Sequence, residues 1–146
     1  MGAGKSTVGR LLAARWRVPF VDLDERIGDI PAVFARVGES GFRAIERAEL
    51  EDAVRGDGVL ALGGGTVVDP ANRALLADWR VFVLLADAAT LRARVGAGVG
   101  RPLAADLERL LVEREGAWRA AGEAVRTEGL DPDEVADRVE ATCGFR

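Results

Sequence analysis

With 146 residues and a mass of 15.5 kDa, the chain can bury a sizeable core, and we expect one domain over residues 1–146. Its net charge of −4 argues against broad nucleic-acid binding, and no apolar run approaches the ~20 residues of a membrane-spanning helix. There is no histidine, which excludes histidine-based metal sites, and Cys143 is the only cysteine. We therefore expect no internal disulfide, no signal peptide and a cytoplasmic location.

The first ten residues, MGAGKSTVGR, contain the closing half of the phosphate-binding motif G-x-x-x-x-G-K-[ST]. In such a loop the backbone amides of Gly2, Ala3 and Gly4 can turn toward phosphate oxygens. Lys5 is the only lysine in the chain and would reach the β- and γ-phosphates, while Ser6 would complete the shell of a magnesium ion. From Thr7 onward the sequence becomes helical, which places the anion at a helix N-terminus. The pattern predicts an ATP and Mg²⁺ site, and its alternative is a chance GAGKS in a chain rich in glycine and alanine.

The motif is incomplete at its amino side. Its first glycine would lie two residues before Met1, and the strand that precedes such a loop is absent.

After the loop, predicted strands and helices alternate, which favours a parallel α/β sheet with ligands at the carboxyl ends of its strands. The predicted strands are 18–21, 58–62, 81–85 and a weak edge strand at 124–127. The predicted helices are 5–15, 24–37 interrupted at Pro31, 40–54 capped by Ser40, a short one after Asp69-Pro70, 90–95, 103–121 and 131–142 capped by Asp131. A glycine-rich loop, 96–100, separates the fifth and sixth helices.

Asp22 and Asp24 follow the first predicted strand, two residues apart, so their side chains would leave the same face. Near a triphosphate, Asp22 could hold magnesium and Asp24 could orient an acceptor hydroxyl group. The alternative for Asp24 is that it only caps the helix that follows.

Two further stretches could hold the acceptor. Arg43 and Glu46 lie at i and i+3 on a predicted helix, so Glu46 could fix the guanidinium plane of Arg43 for a bidentate contact with a carboxylate. On its own this is an ordinary surface ion pair. Gly63-Gly64-Gly65, after a strand, would let backbone amides approach a ligand or simply form a loose turn.

The last candidates are arginines. Arg101 follows the glycine loop, and residues 96–106 look like a hinged lid that carries it to the phosphates. Arg119 follows Trp118 on a predicted helix, where it could equally be a solvated side chain packed on the indole.

Taken together, these stretches resemble the shikimate kinase family. The resemblance covers nearly the whole chain and rests on MGAGKSTVGR, FVDLD, GESGFRAIE, LGGGTV, GRPL and AWR, in the family's order. It implies a three-layer P-loop fold like that of the nucleoside monophosphate kinases, and transfer of the γ-phosphoryl of MgATP to the 3-hydroxyl of shikimate in aromatic amino-acid biosynthesis. The protein would be a monomer.

The resemblance also implies residue roles. Lys5 and Ser6 would serve ATP and magnesium, with Asp22 as the acid on the magnesium side. Shikimate would be held by Asp24, Arg43, Gly64, Gly65 and Arg119, with the two arginines on its carboxylate. Arg101 would be the lid arginine, and Arg94 falls where the family places an arginine against adenine.

Two departures from the family matter. The first strand, central in the family's sheet, is missing; we hypothesise that Met1 is an internal methionine and that the native protein carries roughly ten more residues, enough for a strand. Its loss should cost more than the ~5–15 kcal/mol stability of a typical domain. The segment from Asp24 to Phe34 is also shorter than the family's by roughly five residues. The alternatives are a kinase for another carboxylated polyol such as gluconate, or a nucleotide-binding fragment without catalysis.

Overall fold

The computed structural model describes residues 2–95 and 107–144. Within them, helices and strands alternate along the chain, as predicted. The helices are α1 Lys5–Trp16, α2 Leu23–Ile27, α3 Ile30–Ala53, α4 Pro70–Leu75, α5 Ala88–Val95, α6 Leu107–Ala121 and α7 Pro132–Cys143. The strands are β1 Phe20–Asp22, β2 Val59–Ala61, β3 Phe82–Leu85 and β4 Glu123–Arg126, and a short 3-10 helix spans Thr66–Val68.

The four strands form two parallel pairs. In the first pair β1 runs beside β2, with Phe20 opposite Val59 and Asp22 opposite Ala61. In the second pair β3 runs beside β4, with Phe82 opposite Glu123. The prediction of an α/β fold with parallel strands is confirmed, although the strands do not join into one continuous sheet.

Aspartates set the starts of several helices, because a carboxylate accepts hydrogen bonds from the otherwise unpaired amides of the first turn. Side chains of Asp22, Asp29 and Asp69 accept such bonds at α2, α3 and α4. At α7, Asp131 and Glu134 form a reciprocal capping box, which confirms the predicted cap.

The predicted helix over 24–37 is wrong in its boundaries. Asp22, and not Asp24, caps α2, which ends at Ile27; α3 begins three residues later. Pro31 does not interrupt a helix but lies in the first turn of α3, where its missing N–H costs nothing. The predicted break at 38–41 is confirmed at Gly38, whose backbone (φ 68°, ψ −176°) is not helical, so α3 consists of two helices that meet at this residue, and the second runs to Ala53.

Two apolar clusters form the core, one on each face of the strands. On one face α1 and α7 pack together through Val8, Leu12, Val135 and Val139. On the other face the centre is formed by side chains of α2, α3 and α4 with the 3-10 segment: Leu23, Leu50, Ala53, Val67 and Leu76. Helices therefore cover both faces, as in a three-layer architecture.

Among residues 2–95 and 107–144, no helix is long and apolar enough to cross a membrane. The predicted lid, 96–106, lies outside the described residues, as does the predicted start of the sixth helix at Leu103.

Candidate active site

The phosphate loop leads directly into α1. Gly2 and Gly4 both have positive φ values, 72° and 85°, which glycine adopts without strain. In contrast to the helices capped by aspartate, α1 has no side-chain cap and no acidic residue in its first turn. Its first amides and its dipole are therefore available to an anion, as the motif predicts.

Lys5, the first residue of α1, lies among acids. Burial lowers the pKa of its ammonium group, and the charges of Asp24 and Asp22 act in the opposite direction. A partly desolvated ammonium that is still charged interacts strongly with a phosphate oxygen, because less water screens it.

Ser6 and Asp22 meet at the start of α1. The Ser6 hydroxyl donates a hydrogen bond of 2.5 Å to Oδ2 of Asp22, while Oδ1 accepts from the backbone amides of Asp24 and Glu25. Asp22 is thus fixed by three donors and only 8% exposed. The Ser6 and Asp22 oxygens are hard ligands of the kind that Mg²⁺ prefers, and with a small shift apart both could bind one ion whose remaining positions are filled by water and phosphate.

Asp24 stands at the mouth of the site, open to solvent on one side. Partial burial of the carboxyl group raises its pKa, the charges of Asp22 and Glu46 add to this, and Lys5 opposes it. Gly63 shows how close the acids come: a Cβ built there would lie 3.1 Å from Oδ1 of Asp24 and 3.2 Å from Oε1 of Glu46. A side chain at this strand-to-turn position would be tight, because these oxygens would have to shift by a few tenths of an ångström to make room for it.

A chain of hydrogen bonds fixes Arg43. Its Nη1 donates to Oε2 of Glu46 at 2.7 Å, and Oε1 of Glu46 accepts from the Thr66 hydroxyl at 2.7 Å. The Thr66 carbonyl in turn accepts from Nδ2 of Asn72 at 2.9 Å. Glu46, Thr66 and Asn72 are all nearly or fully buried, so the pair is much more than a surface contact.

The turn at Gly64 and Gly65 lies against arginines. A Cβ at Gly65 would come within 2.7–3.1 Å of three atoms of the Arg43 guanidinium, and one at Gly64 would lie 3.6 Å from Nη1 of Arg114. Trp118 also donates from Nε1 to the Gly64 carbonyl at 2.9 Å, which ties α6 to the turn.

Arg114 was not predicted from the sequence. Burial lowers the pKa of its guanidinium, and the nearby charge of Arg43 adds to this shift. Two guanidinium groups this close favour an anion between them, and a carboxylate matches their fork geometry. One feature of the sequence could have indicated that Arg114 belongs to the site: it lies four residues before Trp118, and therefore on the same face of α6.

Arg119, the predicted partner of Arg43, does not join this group. It pairs with Glu115 through two hydrogen bonds of 2.7 and 3.1 Å, and its side chain is 75% exposed. Five residues after Arg114, it lies about 140° around the helix, on the solvent side.

Arg94 and Arg101 are the remaining candidates. Arg94 donates to both the hydroxyl and the carbonyl of Thr127, at 2.8 and 2.6 Å, and the Thr127 hydroxyl donates to the Leu85 carbonyl at 3.1 Å. Arg94 thereby lies at the carboxyl ends of β3 and β4, the edge where ligands bind in such folds. Arg101 lies outside the described residues.

The structure thus brings together the phosphate loop, two acids and two arginines. Asp22 and Asp24 follow β1, the glycine turn follows β2, and α1 begins beside them. This arrangement can place a triphosphate on the loop, a metal at Ser6 and Asp22, and a carboxylated molecule between Asp24 and the Arg43–Arg114 pair.

Comparison with known proteins gives the family. The family model described as shikimate kinase matches residues 1–143. The shikimate kinase of Limosilactobacillus fermentum is 41% identical over 93% of this chain and 87% of its own length, and that of Saccharopolyspora erythraea is 40% identical over 94% and 86%. Among solved structures, shikimate kinase from Acinetobacter baumannii in complex with shikimate superimposes with a TM-score of 0.91 at 29% identity, covering 100% of this chain and 90% of that one.

Proposed function

This chain belongs to the shikimate kinase family, and we propose that it transfers the γ-phosphoryl group of MgATP to the 3-hydroxyl group of shikimate. The observation that carries the proposal is the pair of arginines, Arg43 and Arg114, at the Gly64–Gly65 turn near Asp24 and the phosphate loop. An acceptor with both a carboxylate and a hydroxyl group fits this arrangement. The product, shikimate 3-phosphate, would serve aromatic amino-acid biosynthesis.

ATP would lie with its phosphates on residues 2–7 and its γ-phosphate beside Lys5. Magnesium would be held by Ser6 and, directly or through water, by Asp22; when bound, it neutralises phosphate charge. Arg94 is proposed to face adenine and Arg101 to close over the phosphates. Lys5 supplies the fixed positive charge that the transferring group needs.

Asp24 is proposed to orient the acceptor hydroxyl and to accept its proton. The hydroxyl oxygen forms a bond to the γ-phosphorus while the bond from that phosphorus to the β–γ bridging oxygen breaks, and ADP leaves with the electron pair. The proton of the hydroxyl moves to the Asp24 carboxylate and then to solvent. A raised pKa makes Asp24 a better proton acceptor than an ordinary aspartate.

Arg43 and Arg114 would hold the carboxylate and thereby place the reacting hydroxyl, since most of the rate of such a kinase comes from positioning and charge neutralisation. We also propose that the protein acts as a monomer in the cytoplasm; its single cysteine suits a reducing compartment. The low net negative charge supports neither a nucleic-acid nor a membrane partner.

The proposal is tested by coupled ADP release with MgATP, alone and with shikimate. Release that depends on shikimate and is lost in Lys5→Ala would support it. Gluconate at equal concentration is the comparison acceptor: faster turnover of gluconate would move the substrate assignment to that polyol. ATP binding without turnover of either acceptor would indicate a nucleotide-binding protein.

A further inference from the structure

The backbone that follows the glycine turn is held by two consecutive residues of α4. Nδ2 of Asn72 donates to the Thr66 carbonyl at 2.9 Å. Nη1 of Arg73 donates to the carbonyls of Val67 and Val68 at 2.7 and 3.0 Å. Side chains of α4 therefore fix all three carbonyl groups of the short 3-10 helix, the element that connects the turn to α4.

Asn72 is buried, and only one end of its amide group is paired. Its exposed fraction is 3%, and within residues 2–95 and 107–144 its Oδ1 has no hydrogen-bond partner. Leu76, four residues later, belongs to the second apolar cluster. A buried carbonyl oxygen without a partner loses its hydration and gains no hydrogen bond in return. An apolar side chain of similar size would avoid this loss, so packing alone does not account for an asparagine at this position.

The peptide unit that Asn72 holds controls two contacts of Arg43. The Thr66 hydroxyl donates to Oε1 of Glu46, whose Oε2 accepts from Nη1 of Arg43. The residue before Thr66 is Gly65, where a Cβ would come within 2.7–3.1 Å of three atoms of the Arg43 guanidinium. The guanidinium is thus held by Glu46 on one side and lies against the backbone at Gly65 on the other. Both contacts depend on the position of Thr66.

From these contacts we propose that Asn72 is a positioning residue for the acceptor, although its unpaired oxygen lowers the stability of the fold. Its Nδ2 group fixes the Thr66 carbonyl, and this fixes both the Thr66 hydroxyl and the glycine turn. Together these set the plane in which Arg43 meets a carboxylate. The identity of the acceptor as shikimate rests on the proposed function, whereas the route from Asn72 to Arg43 rests on the contacts alone.

The test compares Asn72→Leu with the parent chain and with Leu75→Ala. Leucine is close to asparagine in shape and removes both polar groups of the amide. Leu75→Ala removes a side chain of α4 that packs against the same apolar cluster but leaves the Asn72 amide in place, so it reports the effect of a general loss of stability.

We expect Asn72→Leu to raise the KM for shikimate roughly three- to tenfold, the effect of about one hydrogen bond, with an unchanged KM for ATP. Its Tm should equal or exceed that of the parent, because the unpaired oxygen is removed together with the bond. Leu75→Ala should lower the Tm and leave both KM values unchanged.

A double-mutant cycle with Thr66→Val tests the route. If Asn72 acts through Thr66, the rise in the KM for shikimate in the double variant should be smaller than the product of the two single effects. Multiplication of the two effects would show that the residues act independently and would overturn the proposal. So would an equal rise of this KM in Asn72→Leu and Leu75→Ala, or a Tm of Asn72→Leu several degrees below that of the parent, because Asn72 would then be retained for stability.

Hydrogen exchange of a peptide covering residues 63–68, measured by mass spectrometry, tests the same route without any acceptor. We expect faster exchange in Asn72→Leu than in the parent or in Leu75→Ala, because the 3-10 helix loses a bond that holds it. Unchanged exchange would overturn the role of Asn72. A parent chain that does not turn over shikimate would contradict the proposed function, and the difference in exchange would still decide whether Asn72 fixes the turn.

Discussion

At the scale of single residues, the site depends on which arginine stands beside Arg43. We expect Arg114→Met to raise the KM for shikimate roughly 10- to 150-fold, with little change in the KM for ATP. This factor corresponds to the loss of a charge-assisted hydrogen bond worth about 1.5–3 kcal/mol. Arg119→Met is the matched control on the same helix, and its kinetics should stay near those of the parent. Steady-state kinetics with each substrate varied in turn measure both KM values. A higher KM for shikimate in Arg119→Met but not in Arg114→Met would assign the carboxylate contact to Arg119 instead.

Thr66 acts on Arg43 through Glu46. Thr66→Val keeps the shape of the side chain but removes the donor to Oε1 of Glu46, leaving a buried carboxylate oxygen without that partner. We expect a loss of stability of about 1–3 kcal/mol and a higher KM for shikimate, because Glu46 no longer holds the guanidinium plane. Thr66→Ser keeps the hydroxyl and should restore the KM even if some stability is lost. Equal KM values in both variants would limit Thr66 to a structural role.

Asp24 links activity to pH. Its pKa is raised, so the carboxylate needed to accept a proton is lost as the pH falls through a value above that of an ordinary aspartate. The effect of pH on the free energy of unfolding has the opposite sign to its effect on activity. A group whose pKa is raised in the folded state binds its proton more tightly there, so its ionisation destabilises the fold as the pH rises. We expect Asp24→Asn to abolish most turnover yet to be more stable than the parent at neutral pH. That stability difference should shrink toward low pH in denaturation experiments, and a difference independent of pH would contradict the assignment.

The residue scale also shows where sequence reasoning succeeds. Lys5 and Ser6 belong to the phosphate-loop motif and Asp22 follows the first predicted strand, and the structure brings these three side chains together as their proposed roles require. Arg114 belongs to no motif. It enters the site because α6 packs with the face that carries Trp118 against the glycine turn. This tertiary contact cannot be deduced from the local sequence.

At the scale of elements, α1 is joined to α7 by one arginine. Arg15 contacts carboxylates of Asp133, Asp137 and Glu140, each at 2.7 Å, and these contacts raise the pKa of the guanidinium. Because α1 begins with the phosphate loop, this network also fixes the helix that would carry the anion.

We expect Arg15→Met to lower the Tm by a few degrees at low ionic strength, with a smaller effect in high salt and almost none at a pH where the three carboxylates are protonated. Arg10→Met is the control, since Arg10 contacts one carboxylate, Glu25, among the residues that the structure describes, and this pair is exposed. Thermal unfolding followed by circular dichroism measures both. An effect equal in the two variants would show that the network adds nothing beyond a surface pair.

Helix boundaries illustrate what local signals can and cannot decide. The cap at Asp131 was predicted correctly, and the structure shows why the position is favourable: Pro132 begins the helix and Glu134 completes a capping box. Asp22 and Asp24 could both cap α2, and the sequence does not reveal that the chain leaves the helix at Gly28, whose φ is 87°. That choice depends on how Leu23 enters the core between β1 and α3, which is set by packing.

At the scale of the whole molecule, a cavity separates β2 from β3. The order of the strands along the chain could be predicted from alternating apolar runs, but their division into two separate parallel pairs could not, because it depends on tertiary packing. Helices cover both faces of these pairs.

This cavity should make the chain sensitive to pressure. A void of about 500 Å³ per molecule corresponds to roughly 300 mL/mol, well above the ~20–100 mL/mol by which a folded protein usually exceeds its unfolded state. Only the part of this space that holds no water is eliminated when the protein unfolds under pressure. We expect a volume change of unfolding that is more negative than the usual range, measured by tryptophan fluorescence under pressure, because most of the side chains that line the cavity are apolar. A volume change within the usual range would mean that water already fills the space.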